Sequence, residues 1–110
     1  QEKCKKQGKL TMCELFAGQD PGNYEKITRS IRLDGHSTSI CLEDIFWRKL
    51  DELAEIQGLT TPRLVSLLHD EVLERYGEIS NFASMLRSSC LIFLQNDELV
   101  RNQGKLADVA

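Results

Sequence analysis

Few side chains in this sequence can do chemistry, and their spacing narrows which chemistry that is. The four cysteines are Cys4, Cys13, Cys41 and Cys90, and none belongs to a Cys-x-x-Cys pair. A zinc site needs three or four ligands at workable spacing, and the two histidines, His36 and His69, complete no such set. Reduced thiols are the reading that follows. His69 precedes Asp70, but adjacent residues on a helix do not face each other, so the two form no catalytic pair. The sequence has no glycine-rich phosphate loop, no nucleophile elbow and no metal-ligand cluster. Catalytic residues, metal ligands and cofactors are therefore expected to be none, and no enzymatic activity is expected. What remains is binding chemistry. Arg29 and Arg32 lie in an alternating run and could contact a nucleic acid, or could serve as solvated strand-edge charges that discourage aggregation. Arg29 falls on the apolar side of that run and Arg32 on the polar side.

The elements that must carry these residues are legible as periodicities. Thr28 to Leu42 alternates with period two. Ile31, Leu33, Thr38, Ile40 and Leu42 share one face if Asp34-Gly35 forms a two-residue turn. Thr28, Ser30, Arg32, Ser37, Ser39 and Cys41 then share the other. Asp-Gly between alternating runs is a strong hairpin signal, because both central residues adopt positive φ. Glu43 to Gln57 reads as a helix, with Phe46, Leu50, Leu53 and Ala54 at i, i+4, i+7 and i+8, and Trp47 widening the stripe. Glu43 and Asp44 in the first turn suit the helix dipole, and Gly58 suits a left-handed cap. Thr61 is the predicted N-cap of a second helix with Pro62 at its first position. Leu64, Val65, Leu68 and Val72 line that helix, which runs to about Tyr76 and stops at Gly77. A third helix is predicted from about Asn81 to Gln95, capped by Ser80 or Asn81, with Phe82, Leu86, Cys90, Phe93 and Leu94 on one side.

The ends read differently. Residues 1–11 are polar and aperiodic, and are expected to be a disordered leader, or vector or upstream sequence ahead of a start at Met12. Met12 to Tyr24 reads as an arm ending in the turn signal Asp20-Pro21-Gly22, pinned to the core by Leu15 and Phe16. Residues 96–110 read as a flexible tail. One domain, residues 12–95, remains between them.

With 110 residues, 41% of them apolar and 28% charged, the chain should fold in water as one domain. No run approaches the roughly 18 apolar residues that suggest a membrane span, and no apolar segment follows the Lys-rich start. A cytoplasmic protein with no membrane partner is expected. The net charge of −3 is uneven. Residues 1–12 hold Lys3, Lys5, Lys6 and Lys9 against Glu2, a surplus of three positive charges, so residues 13–110 carry a surplus of six negative ones. Duplex-DNA binders usually show a basic footprint, so contact with DNA here would rest on a local field.

Leu42, Phe46, Trp47, Leu50, Leu53 and Ala54, followed by Gly58, Thr60, Leu64 and Val65, resemble the ribbon-helix-helix module. Taken with Met12-Cys13-Glu14-Leu15-Phe16, Arg29-Ser30-Ile31-Arg32-Leu33, Thr38-Ser39-Ile40, Asn81-Phe82-Ala83-Ser84 and Leu86-Arg87, the pattern resembles a bacterial ribbon-helix-helix subfamily of unassigned function over residues 12–94. The resemblance implies a mainly α fold with a short β-ribbon or hairpin, namely a ribbon-helix-helix dimer plus a third C-terminal helix. It implies a dimeric DNA-binding protein, a transcriptional regulator whose partners are a second copy and double-stranded DNA. By position, Ser37, Ser39 and Cys41 would read base edges, with Arg32 as the one strong donor on their face. The backbone around Thr60 and Thr61 would clamp a phosphate.

The expected dimer core is Ile40, Leu42, Phe46, Trp47, Leu50, Leu53, Leu64 and Leu68, which exceed what two short helices can hide in one chain. If Thr28–Leu33 pairs with Ser37–Leu42, a dimer sheet has four strands. At about 4.8 Å per gap its three gaps span roughly 14 Å. The major groove is about 12 Å wide. The alternative function is a protein-interaction or antitoxin-like module on the same scaffold, without groove reading, in which residues 95–110 wrap another protein.

Overall fold

The computed structural model describes residues 11–103. The expected leader, apart from Thr11, and the last seven tail residues lie outside them. The element order is α1 (Met12–Ala17), a 3-10 turn (Pro21–Tyr24), β1 (Lys26–Leu33), β2 (His36–Glu43), α2 (Asp44–Gln57), α3 (Thr61–Tyr76), α4 (Phe82–Gln95) and α5 (Asp97–Gln103). None of these helices is long and apolar enough to cross a membrane.

The hairpin forms where the alternation places it. Asp34 and Gly35 both take positive φ, 53° and 80°. This matches the tight two-residue turn whose twist suits paired strands. β1 and β2 pair antiparallel along their whole length, from Leu33↔His36 at the turn to Lys26↔Glu43 at the open end. Ile31, Leu33, Ile40 and Leu42 turn inward and are buried, while Thr28, Ser30, Arg32, Ser37, Ser39 and Cys41 are exposed on the other face.

β2 runs straight into α2, whose N-cap is Glu43 rather than a residue before it. The Glu43 side chain makes no cap bond, because its carboxylate accepts from Arg87 Nε of α4 at 2.9 Å. Gly58 ends α2 at φ 76° and Gly77 ends α3 at φ 78°, both left-handed, the conformation a glycine adopts without penalty. The N-cap of α3 is Thr60, not Thr61: the Thr60 hydroxyl accepts from Arg63 N at 3.3 Å. Thr61 and Pro62 are already helical. Asn81 precedes α4 in a left-handed conformation without a side-chain cap bond.

α3 packs on β1 and α2, and α4 packs on α2 and β2. The buried core is Ile31, Leu33, Ile40, Leu42, Trp47, Leu50, Leu53, Ala54, Leu64, Val65, Leu86, Cys90 and Phe93. This corrects the reasoning behind the expected dimer core. Ile40, Leu42, Trp47, Leu50, Leu53 and Leu64 are already buried within one chain, and Phe46 and Leu68 are half-buried against the same cluster. The expectation weighed two helices alone. β1 supplies Ile31 and Leu33, and α4 supplies Leu86, Cys90 and Phe93, which closes the core from both sides.

Three further details depart from the sequence reading. Leu94 is exposed, because it lies on the flank of α4 rather than beneath it. α5 continues the chain as a helix where a frayed tail is expected; Arg101 on it pairs with Glu52 of α2 at 2.6 Å and with Asp97 at 2.6 Å. Leu15 and Phe16 do not pin the arm: they are 54% and 58% exposed on α1, which buries no residue. The arm is anchored further along, where Asp44 N donates to Glu25 O at 2.8 Å and Arg48 meets Asn23.

Candidate nucleic-acid interface

Among the described residues, nothing covers the outward hairpin face. Ser37, Ser39 and Cys41 are exposed along β2, opposite Arg32, Ser30 and Thr28 of β1. Ser30 and Ser37 share a hydroxyl–hydroxyl hydrogen bond of 2.9 Å. Arg32 folds back over the turn, and its Nη1 donates to Gly35 O at 2.8 Å. One end of this face meets the first turn of α3. A surface concavity there is lined by Arg32 and Arg63, with Asp34, Ser66 and Asp70 beside them. Sequence reasoning did not single out Arg63. The signal was available: it is the third helical residue after tandem threonines and a proline.

The α3 N-terminus offers less to an anion than the motif suggests. Pro62 has no N–H, Arg63 N is taken by the Thr60 hydroxyl, and Leu64 N donates to Thr60 O at 2.9 Å. That leaves the Thr61 N–H in the first turn. The Thr61 side chain is also committed: its hydroxyl donates to Asp51 Oδ1 at 2.6 Å. Asp51, in turn, receives a bidentate pair from Arg29, Nη1 to Oδ1 at 2.9 Å and Nη2 to Oδ2 at 3.1 Å. The Arg29 hydrogen bonds hold the Asp51 carboxyl below the usual carboxylate range against its partial burial, and the Thr61 hydroxyl adds to the lowering. The Arg29 guanidinium lies 4.5 Å from the centre of the fully buried Trp47 ring. Trp47 Nε1 donates back to Ile27 O of β1 at 2.8 Å. Arg29 is thus tied to the inner side of the hairpin, and of the two arginines only Arg32 reaches the outer face.

Among the described residues, β2 also presents a free edge. A two-residue loop makes Leu33↔His36 a hydrogen-bonded pair, so Thr38, Ile40 and Leu42 aim their backbone polar groups at β1. Ser37, Ser39 and Cys41 aim theirs away from it, along the unpaired edge of a two-stranded sheet. Beside that edge runs an open groove whose lining includes Leu33, Ile40, Ile79, Phe82 and Ala83. His69 borders it, edge-on to Phe82 at 5.2 Å, with a buried Nδ1 that has no hydrogen-bond partner among the described residues and sits 3.8 Å from Asp70. α3 buries only Leu64 and Val65; Leu67, Leu68, Val72 and Leu73 stay half-exposed and Tyr76 is exposed.

Among the described residues the three thiols sit on different elements. Cys13 and Cys41 are exposed on different elements, and Cys90 is buried, where desolvation pushes its thiol up to about 11. Among the described residues no three His, Cys, Asp or Glu side chains converge as metal ligands would.

A strand pair running directly into two helices, with one strand face left open, is the architecture of a DNA-binding regulator type of fold. The chain belongs to the ribbon-helix-helix domain family, whose match spans residues 26–94, from β1 to the end of α4. α1 and the 3-10 turn lie outside that span. The chain is also similar to the solved structure of an uncharacterized protein from Bordetella pertussis Tohama I. The two are 37% identical with a TM-score of 0.77, over 82% of this chain and 72% of that one. No curated protein matches.

Proposed function

We propose that the chain is a DNA-binding regulator that acts as a homodimer on a two-fold site. The observation that carries this reading is the uncovered outward hairpin face ending at Arg32 and Arg63, beside the first turn of α3. Ser37, Ser39 and Cys41 would face base edges, and Arg32 and Arg63 with the Thr60–Thr61 backbone would meet phosphates. Serine hydroxyls accept or donate to any base, so discrimination would be modest and much of the affinity electrostatic.

The dimer reading is supported by the free β2 edge, the apolar groove beside it and the half-exposed second half of α3. Only residues with outward backbone groups can pair across that edge. An antiparallel two-fold arrangement centred on Ser39 sets Ser39 opposite the partner's Ser39 and Ser37 opposite the partner's Cys41. It engages all three outward residues and so makes the most of the edge. Genomic fragments titrated by fluorescence anisotropy test the function. Affinity should fall steeply with salt and weaken in Arg32→Ala. Failure of every fragment to bind at low salt sinks the DNA reading.

One observation favours a second reading. β1 pairs with β2 in the chain, so the dimer sheet would have four strands. Its span of roughly 14 Å between outer strands exceeds the groove that takes a two-stranded ribbon. A protein-interaction or antitoxin-like module on the same scaffold accommodates that width, with exposed apolar residues of α1 and α4 as its contact surface. Isolation of the native complex under low salt separates the two: a stoichiometric protein supports this reading, and nucleic acid alone opposes it.

A further inference from the structure

We infer that Asp51 is a positioning residue that sets the distance and angle between the hairpin face and α3, and so between Arg32 and Arg63. This deepens the DNA reading and rests on it for its functional consequence. Three elements meet at this one carboxylate. β1 reaches it through both Arg29 nitrogens, at 2.9 and 3.1 Å, and α3 reaches it through the Thr61 hydroxyl at 2.6 Å. Asp51 itself lies midway along α2. Arg29 cannot swing away readily, because its guanidinium is stacked on Trp47, whose indole N–H is bonded to Ile27 O of the same strand.

The chain positions make this a spacer between contacts rather than a contact. Arg29 is three residues before Arg32 on β1, on the opposite face. Thr61 is two residues before Arg63 on α3. Displacing either Arg29 or Thr61 from Asp51 therefore moves one of the two cations that line the concavity between hairpin and helix. The side chains of the Arg29–Asp51 pair are 36% and 43% exposed, and so open an ion pair contributes little to stability. A bidentate pair with a third short hydrogen bond nonetheless fixes orientation tightly. Arg29 has a second effect: it cancels a negative charge close to the helix end where a phosphate would approach.

The test uses the full chain with Thr61→Val, which removes the hydroxyl and keeps the shape, and Thr61→Ser, which restores the hydroxyl. Thermal unfolding serves as the folding control and should be nearly unchanged in both. Amide hydrogen exchange at Arg63 and Leu64 should quicken several-fold in Thr61→Val and stay at the wild-type rate in Thr61→Ser. With a fragment that binds the wild type, the slope of log affinity against log salt should flatten in Thr61→Val by about one for each phosphate that the protein no longer engages. Thr61→Ser should retain the slope. Unchanged exchange in Thr61→Val overturns the positioning role, whether or not DNA binds. Quickened exchange with an unchanged salt slope confines Asp51 to holding the fold and overturns its part in binding. A wild type that binds no DNA overturns the parent reading and the functional consequence together, and the exchange data still decide the geometry.

Discussion

Proline substitutions at neighbouring positions of β2 should have opposite consequences, because successive residues aim their backbone groups in opposite directions. Thr38 is paired with Ile31 in a hydrogen-bonded position, so Thr38→Pro deletes an N–H donor that faces β1 and leaves the Ile31 carbonyl unpaired. Losing a donor opposite the carbonyl of a buried residue costs about 1–3 kcal/mol. For a domain of this size each kcal/mol lowers the melting temperature by about 4–8 °C, so a fall of roughly 5–20 °C is expected. Ser39→Pro deletes an N–H that points to the free edge. It should leave the monomer within about 1 kcal/mol of wild type, since proline is tolerated on an edge strand. If the β2 edges pair in a dimer, Ser39→Pro removes the central pair of that interface and clashes with the partner strand. Light scattering on the wild type should give about twice 12.5 kDa at micromolar concentration. Ser39→Pro should give the single-chain mass with a nearly unchanged circular dichroism spectrum. A dimeric Ser39→Pro refutes pairing through this edge. A Thr38→Pro as stable as wild type refutes the deduced direction of the backbone groups.

Further outcomes follow from the same geometry. Leu50 is fully buried, so Leu50→Ala should cost about 2–5 kcal/mol, read as a lower urea midpoint; a change under about 0.5 kcal/mol would contradict its place in the core. Asp51, Glu43 and Glu52 are held below the usual carboxylate range, by Arg29, Arg87 and Lys49 respectively. A depressed carboxylate stabilises the fold in full above its unfolded value near pH 4, and that stability is lost as pH falls through the lower folded value. Urea midpoints should therefore decline below about pH 4, by a modest amount since the pairs are partly exposed to solvent, and a midpoint that rises from about pH 5 to about pH 3 would contradict this. Peptide-level labelling with a thiol reagent should modify Cys41 quickly and Cys90 only on unfolding; bound DNA should protect Cys41.

The local elements were legible where one residue type has one physical use. Asp34-Gly35 marked the turn because both positions need positive φ, and that turn fixed which face Arg29 and Arg32 occupy. Gly58 and Gly77 marked helix ends for the same reason. The N-cap of α3 was less determined, since Thr60 and Thr61 are chemically alike and proline is accepted at either of the first two helical positions. Tertiary partners were the least legible. Nothing local says that Thr61 donates to Asp51, that Arg29 stacks on Trp47, or that β1 and α4 close a core over residues expected at a dimer interface. Leu15 and Phe16 show the converse: an apolar pair in a short helix carries no information about whether its own chain covers it.

Amide chemical-shift mapping of the full chain against a bound genomic fragment tests the proposed interface most directly. Shifts concentrated at Arg32, Ser37, Ser39, Cys41, Thr60, Thr61 and Arg63 are the expected result, fading as salt is raised. Shifts confined to α1 and to the exposed Leu91, Ile92 and Leu94 of α4, with the hairpin face unmoved, would contradict it.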